Sequence, residues 1–137
     1  MAVASRRAAE ESDQRWEALS SQPGKHTLQT LIDGYLSVKH RDCPAEGCVV
    51  TALAADVARE GADKPVHQAY LSGAKSMLVR LESLSPSADE QQRHQQALAQ
   101  MAMLVGALTL ARATRGDELS EQFLNAARQA LLPADAE

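Results

Sequence analysis

The sequence predicts an all-α fold: a single helical domain of about six helices. Three observations lead there. The chain is dominated by Ala, Leu, Glu, Gln and Arg, all strong helix formers. Aromatic residues make up only 3% of its 137 residues, and the β-branched ones are too scattered to line a set of strands. Finally, the prolines and glycines fall in clusters that cut the chain into segments with apolar residues at three- and four-residue steps. A domain of about 150 residues buries roughly 70% of the surface its unfolded chain exposes, so one core is expected and a second is not.

The first segment, Ser5 to Ser20, has few apolar positions beyond Trp16 and Leu19 and closes at Pro23-Gly24. Residues 1–24 are therefore expected to be a helical but weakly docked N-terminal segment, with the domain proper spanning 25–137. A second helix, Thr27 to Val38, carries one apolar stripe of Leu28, Leu31, Ile32, Tyr35 and Leu36. The segment from His40 to Gly47 reads as a loop. A third helix, Cys48 to Glu60, would turn Val49, Val50, Leu53 and Val57 inward and stop at Gly61.

Pro65 suits the first turn of a fourth helix, because its missing N–H would have no partner there. That helix runs to Leu84 with Val66, Tyr70, Gly73, Met77, Leu81 and Leu84 on one face. Ser85-Pro86-Ser87 ends it, and a fifth runs from Asp89 to Ala113. Its first half is Gln-rich and reads as exposed. From Leu98 onward, Met101, Met103, Leu104, Val105, Leu108 and Leu110 cover more than one face, which predicts burial on more than one side. Gly116-Asp117 breaks the chain, and the last helix, Glu118 to Leu132, shows Leu119, Phe123, Ala127, Ala130 and Leu131 on one side.

The charge balance, 14 Lys plus Arg against 18 Asp plus Glu, gives a net −4 and argues against sequence-independent affinity for phosphate backbones. No apolar run approaches the roughly 18 residues that would span a bilayer, and Met-Ala-Val-Ala-Ser-Arg-Arg lacks a hydrophobic signal core. A cytoplasmic location is expected, with no membrane partner and with both cysteines reduced.

Several constellations bear on chemistry. His40, Cys43 and Cys48 form an H-x2-C-x4-C arrangement, but a structural zinc site wants four ligands, so ordinary loop residues are the plainer reading. As a pair, Cys43 and Cys48 are candidate redox thiols. Peroxide chemistry is disfavoured by their spacing and by His40 preceding both. His40-Arg41-Asp42 matches the kinase catalytic loop superficially, yet position 47 holds Gly where that loop needs Asn, so Arg41 and Asp42 are read as turn and ion-pair residues. No catalytic residue, cofactor or metal is assigned.

Tyr35, Tyr70, Met77 and Met101, with Val105 and with His40 at the rim, are candidates to line an adaptable apolar pocket for a small apolar or aromatic effector. Small side chains on the last two helices permit close helix approach. They predict a homodimer through a face that includes Ala102, Gly106, Leu110, Phe123, Ala127 and Ala130.

Two stretches resemble the ligand-binding half of TetR-family transcriptional regulators. One is YLSVKHRDCPAEGCVVTALAADVARE, Tyr35 to Glu60; the other is MLVGALTLARATRGDELSEQFLNAARQALL, Met103 to Leu132. The resemblance covers about Leu28 to Leu132. It implies an all-helical domain that homodimerises through its last two helices as a four-helix bundle and holds an effector among the middle ones. It further implies coupling to a helix-turn-helix that reads operator half-sites. Two positions depart from the family pattern: Val49 stands where Pro usually follows Gly-Cys, and Cys43 is an additional thiol.

Residues 1–24 hold only Arg6-Arg7 as a basic cluster and are too few for a three-helix DNA reader, so no direct nucleic-acid contact is expected of this chain. The expectation is thus an effector-binding and dimerisation domain of the TetR type without its own DNA-binding part. The alternatives are a thiol- or metal-responsive sensor using Cys43 and Cys48, a stand-alone dimerisation module that antagonises a full-length regulator, and a structural module with a collapsed core.

Overall fold

The structure, a computed structural model, describes residues 27–43, 54, 56–60 and 65–132. Among these residues the regular structure is helical: residues 54 and 56–58, within the predicted third helix, are helical, and five elements are described with their bounds, α1 (Thr27–Tyr35), α2 (Val38–Asp42), α3 (Pro65–Ser83), α4 (Glu90–Ala113) and α5 (Glu118–Leu131). The all-α expectation holds for them. The predicted first helix, the start of the predicted third and the boundary at residue 24 lie outside the described residues, as do Cys48, Val49, Val50 and Leu53. Val57, expected to face inward, is buried.

The fold is organised around α4, which at 24 residues is roughly 36 Å long. Asp89 begins it, its extended backbone leaving the side chain free to accept from the Gln91 N–H at 3.1 Å. Ala97, Leu104, Ala107, Leu108 and Ala111 form its buried face. Against that face pack α3 through Met77 and Leu81, α1 through Leu31, Ile32, Tyr35 and Leu36, and α5 through Leu124 and Ala127. These side chains make one continuous core, in which α4 meets each of the other four helices and α1 also reaches α5.

The α4–α5 connection is a tight elbow. The Thr114 N–H donates to the Leu110 carbonyl at 3.0 Å, closing α4. Gly116 then takes a φ of 99°, a left-handed value that costs an L side chain about 1–2 kcal/mol. Asp117 restarts the chain as N-cap of α5, accepting from the Leu119 N–H at 2.8 Å. At the other end of α4, the α3–α4 loop is held by the Arg93 guanidinium on the Ser87 carbonyl at 2.9 Å. A contact of 2.7 Å between His94 Nδ1 and Glu82 Oε1 joins the two helices there.

The structure corrects the sequence reading in three places. The expected helix from Thr27 to Val38 is interrupted: Ser37 leaves the helical conformation (φ −87°, ψ 157°), accepts from the His40 N–H at 3.1 Å and donates to the Gly34 carbonyl at 2.8 Å. A serine that hydrogen-bonds its own backbone in this way ends one helix and caps the next. His40, Arg41 and Asp42 consequently sit in the short helix α2 and not in a loop.

The second correction concerns α4, which is buried on one side only. Leu98, Met103 and Leu110 are 43%, 40% and 46% exposed, because the described helices all pack on the opposite face. The third concerns α5, whose buried face is Ser120, Leu124 and Ala127, rotated from the predicted stripe. Leu119 and Ala130 are exposed and Phe123 is half-buried. The helix carries two adjacent apolar faces, and periodicity alone selects the one with the larger side chains.

Candidate functional site

Two features combine residues that the sequence singled out. The first is a polar clasp built on α2. The Arg41 guanidinium grips the Asp42 carboxylate with both ends of its fork, Nε to Oδ1 at 2.8 Å and Nη2 to Oδ2 at 3.1 Å, and gives Nη1 to Ser120 Oγ at 3.1 Å. Ser120 is fully buried, and its hydroxyl donates to the Ala111 carbonyl at 2.6 Å. Arg112 of α4 reaches back across the same junction, donating Nη2 to the His40 carbonyl at 2.8 Å and Nε to the Arg41 carbonyl at 3.2 Å. Those carbonyls belong to the last turn of α2, where helix geometry leaves them without a partner, so Arg112 caps α2 from another helix.

Arg115 stands 4.0 Å from Asp42 Oδ1. The hydrogen bond from Arg41 is the main cause holding the Asp42 carboxyl below its ordinary range; the same bond raises Arg41 further above its own. The pairing with a carboxylate expected of Arg41 is thus present, and its partner is Asp42, which the sequence alone suggests as a turn residue accepting backbone N–H groups.

Ser120 and Arg112 carry no sequence signal of these roles by themselves. The one trace in the sequence is that Ser120 interrupts the stripe Ser120, Leu124, Ala127, Leu131, where a core residue would be expected. A serine at such a position needs a partner from elsewhere in the chain, and sequence does not say which.

The second feature is an apolar groove of about 400 Å³ along the outer side of the α4–α5 pair. Met103, Gly106, Ala107 and Leu110 line it from α4, with Phe123, Ala126, Ala127 and Ala130 from α5. Five of the six residues assigned to the dimer face, Gly106, Leu110, Phe123, Ala127 and Ala130, meet there. Ala102 is exposed one turn before Gly106 on the same helix. Small side chains at 106, 126, 127 and 130 leave the floor shallow, and Leu110 and Phe123 supply most of its apolar bulk.

The residues assigned to an effector pocket belong to the core or its margin. Tyr35 and Met77 are buried, and Tyr70, Met101 and Val105 are half-buried against the same core cluster. His40 lies at the edge of this group: its ring meets that of Tyr35 edge-on, with centroids 4.8 Å apart. Its Nδ1 lies 2.7 Å from the Tyr35 carbonyl, an obligate acceptor, so Nδ1 carries the proton. Cys43 is exposed at the end of α2.

Among the described residues, no three His, Cys, Asp or Glu side chains lie close enough together to hold a metal ion. Nor is any described helix long and apolar enough to cross a membrane.

No protein-family model matches this chain, and no match was found among curated proteins.

Proposed function

We propose that this chain is the effector-binding and dimerisation part of a TetR-like transcriptional regulator, a binding module and not an enzyme. The observation that carries the reading is the apolar groove on α4 and α5. An elongated apolar face on the two C-terminal helices is where a four-helix-bundle dimer of that family would form, and it combines a small-residue floor with exposed Met103 and Leu110.

The effector half of the reading rests on Tyr35, Tyr70, Met77, Met101 and Val105 all belonging to the apolar core or its margin, with His40 beside Tyr35. Methionine side chains repack readily, so such a cluster can admit an apolar or aromatic guest by rearrangement.

Sedimentation velocity at micromolar concentration tests the dimer. The expected mass is that of two chains, and Leu110→Glu, which places a charge in the groove, is expected to give one. A wild-type protein that sediments as a monomer throughout would contradict the assembly. Isothermal titration against a panel of apolar and aromatic compounds tests the effector site: binding is expected in the wild type, and loss of it in Met77→Trp. A heat signal unchanged in that variant removes Met77 from the site.

A further inference from the structure

The clasp sits at the point where the two walls of the groove meet. Ala111, whose carbonyl accepts from the Ser120 hydroxyl, is the residue after Leu110, the last groove residue of α4. Ser120 lies three residues before Phe123, the first groove residue of α5. Between them runs the elbow containing Gly116, whose φ of 99° is the only positive value among the described residues. The two helices thus meet at this elbow, and α2 is bound to both sides of it.

We propose that Arg41 and Asp42 form a latch that fixes the angle between α4 and α5, so that the docking of α2 determines the width of the apolar groove. Arg41 is only 11% exposed, and its fork is divided between two tasks: Asp42 orients it, and Ser120 receives it. The Ser120 hydroxyl donates to α4 and accepts from α2, so its buried oxygen has both partners only when α2 is in place. Arg112 makes the attachment reciprocal, since it donates from α4 to two carbonyls of α2.

Four hydrogen bonds therefore cross or close one junction, with no apolar residue of α2 buried there to hold it in their place. A small change in hinge angle moves the far ends of α4 and α5 the most, and the groove lies along those arms. The latch also ties α1 to the groove, because α2 follows directly on the helix that carries Tyr35. The consequence for assembly rests on the dimer reading above; the consequence for the hinge does not.

Hydrogen exchange and sedimentation equilibrium on the full chain test the latch. Arg41→Met keeps the side-chain stem and removes the fork. The expected result is faster exchange across 103–110 and 123–130 with α3 unchanged, and a dimer dissociation constant raised by about tenfold or more. Arg41→Lys, which keeps the charge but not the fork, is expected to behave like Arg41→Met. Should Arg41→Met fail to fold, Arg112→Met, which removes the two bonds from α4 to the His40 and Arg41 carbonyls and leaves the Ser120–Ala111 bond in place, is read in the same way. Exchange that changes only in 38–42, or full rescue by lysine, overturns the latch. An unchanged dissociation constant in a dimeric protein also overturns it. A wild type that is monomeric at every concentration removes the dimer alone, and the exchange pattern then decides the latch.

Discussion

The two sides of α4 are built from the same kinds of residue and meet different fates. Leu104 and Leu108 are fully buried beneath α1, α3 and α5, whereas Met103 and Leu110, each a residue or two away, are 40% and 46% exposed. Composition does not distinguish them. What separates them is that the described helices pack on one side of α4, so the inner side holds the fold together and the outer side contributes little to its stability. An apolar surface that adds little to folding is the kind that association can use.

Substitutions sharpen that contrast in decreasing order of effect. Leu108→Ala should cost about 2–5 kcal/mol by chemical denaturation, because the cavity is enclosed on all sides, while Leu110→Ala should stay within about 0.5 kcal/mol at concentrations where the chain is monomeric. Equal losses at the two positions would mean that the outer face is covered. Ser120→Ala is next: it strips a donor from the Ala111 carbonyl and leaves an Arg41 N–H without its acceptor, an expected loss of about 1–3 kcal/mol.

Gly106→Ala reverses sign between the two states. A methyl there meets nothing within 4 Å in the single chain, and a helix-interior glycine is worth roughly 0.5–1 kcal/mol less than alanine, so the monomer should gain stability. A dimer that uses close helix approach at this point should be weakened by the same methyl. Melting curves at low and high protein concentration separate the two, and stabilisation at both would place the contact elsewhere.

The smallest effect concerns pH. Because Arg41 holds the Asp42 carboxyl below its usual value of 3.8, the folded state binds that proton less readily than the unfolded chain does. Asp42 therefore adds stability that is present above about pH 4 and lost as pH falls through its lowered folded value. Denaturation of wild type and Asp42→Asn should differ near neutrality and converge in acid. A gap that stays constant with falling pH would show that the carboxylate is not what the clasp uses.

The helical architecture was legible because it depends on local signals. Gly116-Asp117 as the break between α4 and α5 and the stripe of Leu31, Ile32, Tyr35 and Leu36 act within a turn or two, whereas Asp89 and Asp117 are identified as caps only by the structure. Five of the six residues assigned to the dimer face do share the groove, since helix periodicity places side chains on a common side whether or not that side is buried.

The clasp was half legible. Arg41 and Asp42 are adjacent, so their pairing follows from proximity, but Ser120 is 79 residues from Arg41 and Arg112 is 72 from His40. Such pairings depend on how the helices assemble. The break at Ser37 was missed for a related reason: serine is tolerated inside helices, and only its bonds to Gly34 and His40 show that it ends one here. The effector residues stand differently, because Tyr35, Tyr70 and Met77 have the same periodicity whether they line a pocket or fill a core.

The brevity of α2 bears on how the molecule folds. Five residues are too few for a helix to persist in water, since nucleation fixes several dihedrals for a single hydrogen bond. Its last turn is completed by Arg112, a residue supplied by α4. The segment is therefore stabilised as a helix when it docks on α4, which is expected to place it late in folding. Arg41 and Arg112 variants should accordingly leave the refolding rate nearly unchanged and accelerate unfolding, so that α2 governs how long the folded chain lasts and not how quickly it forms.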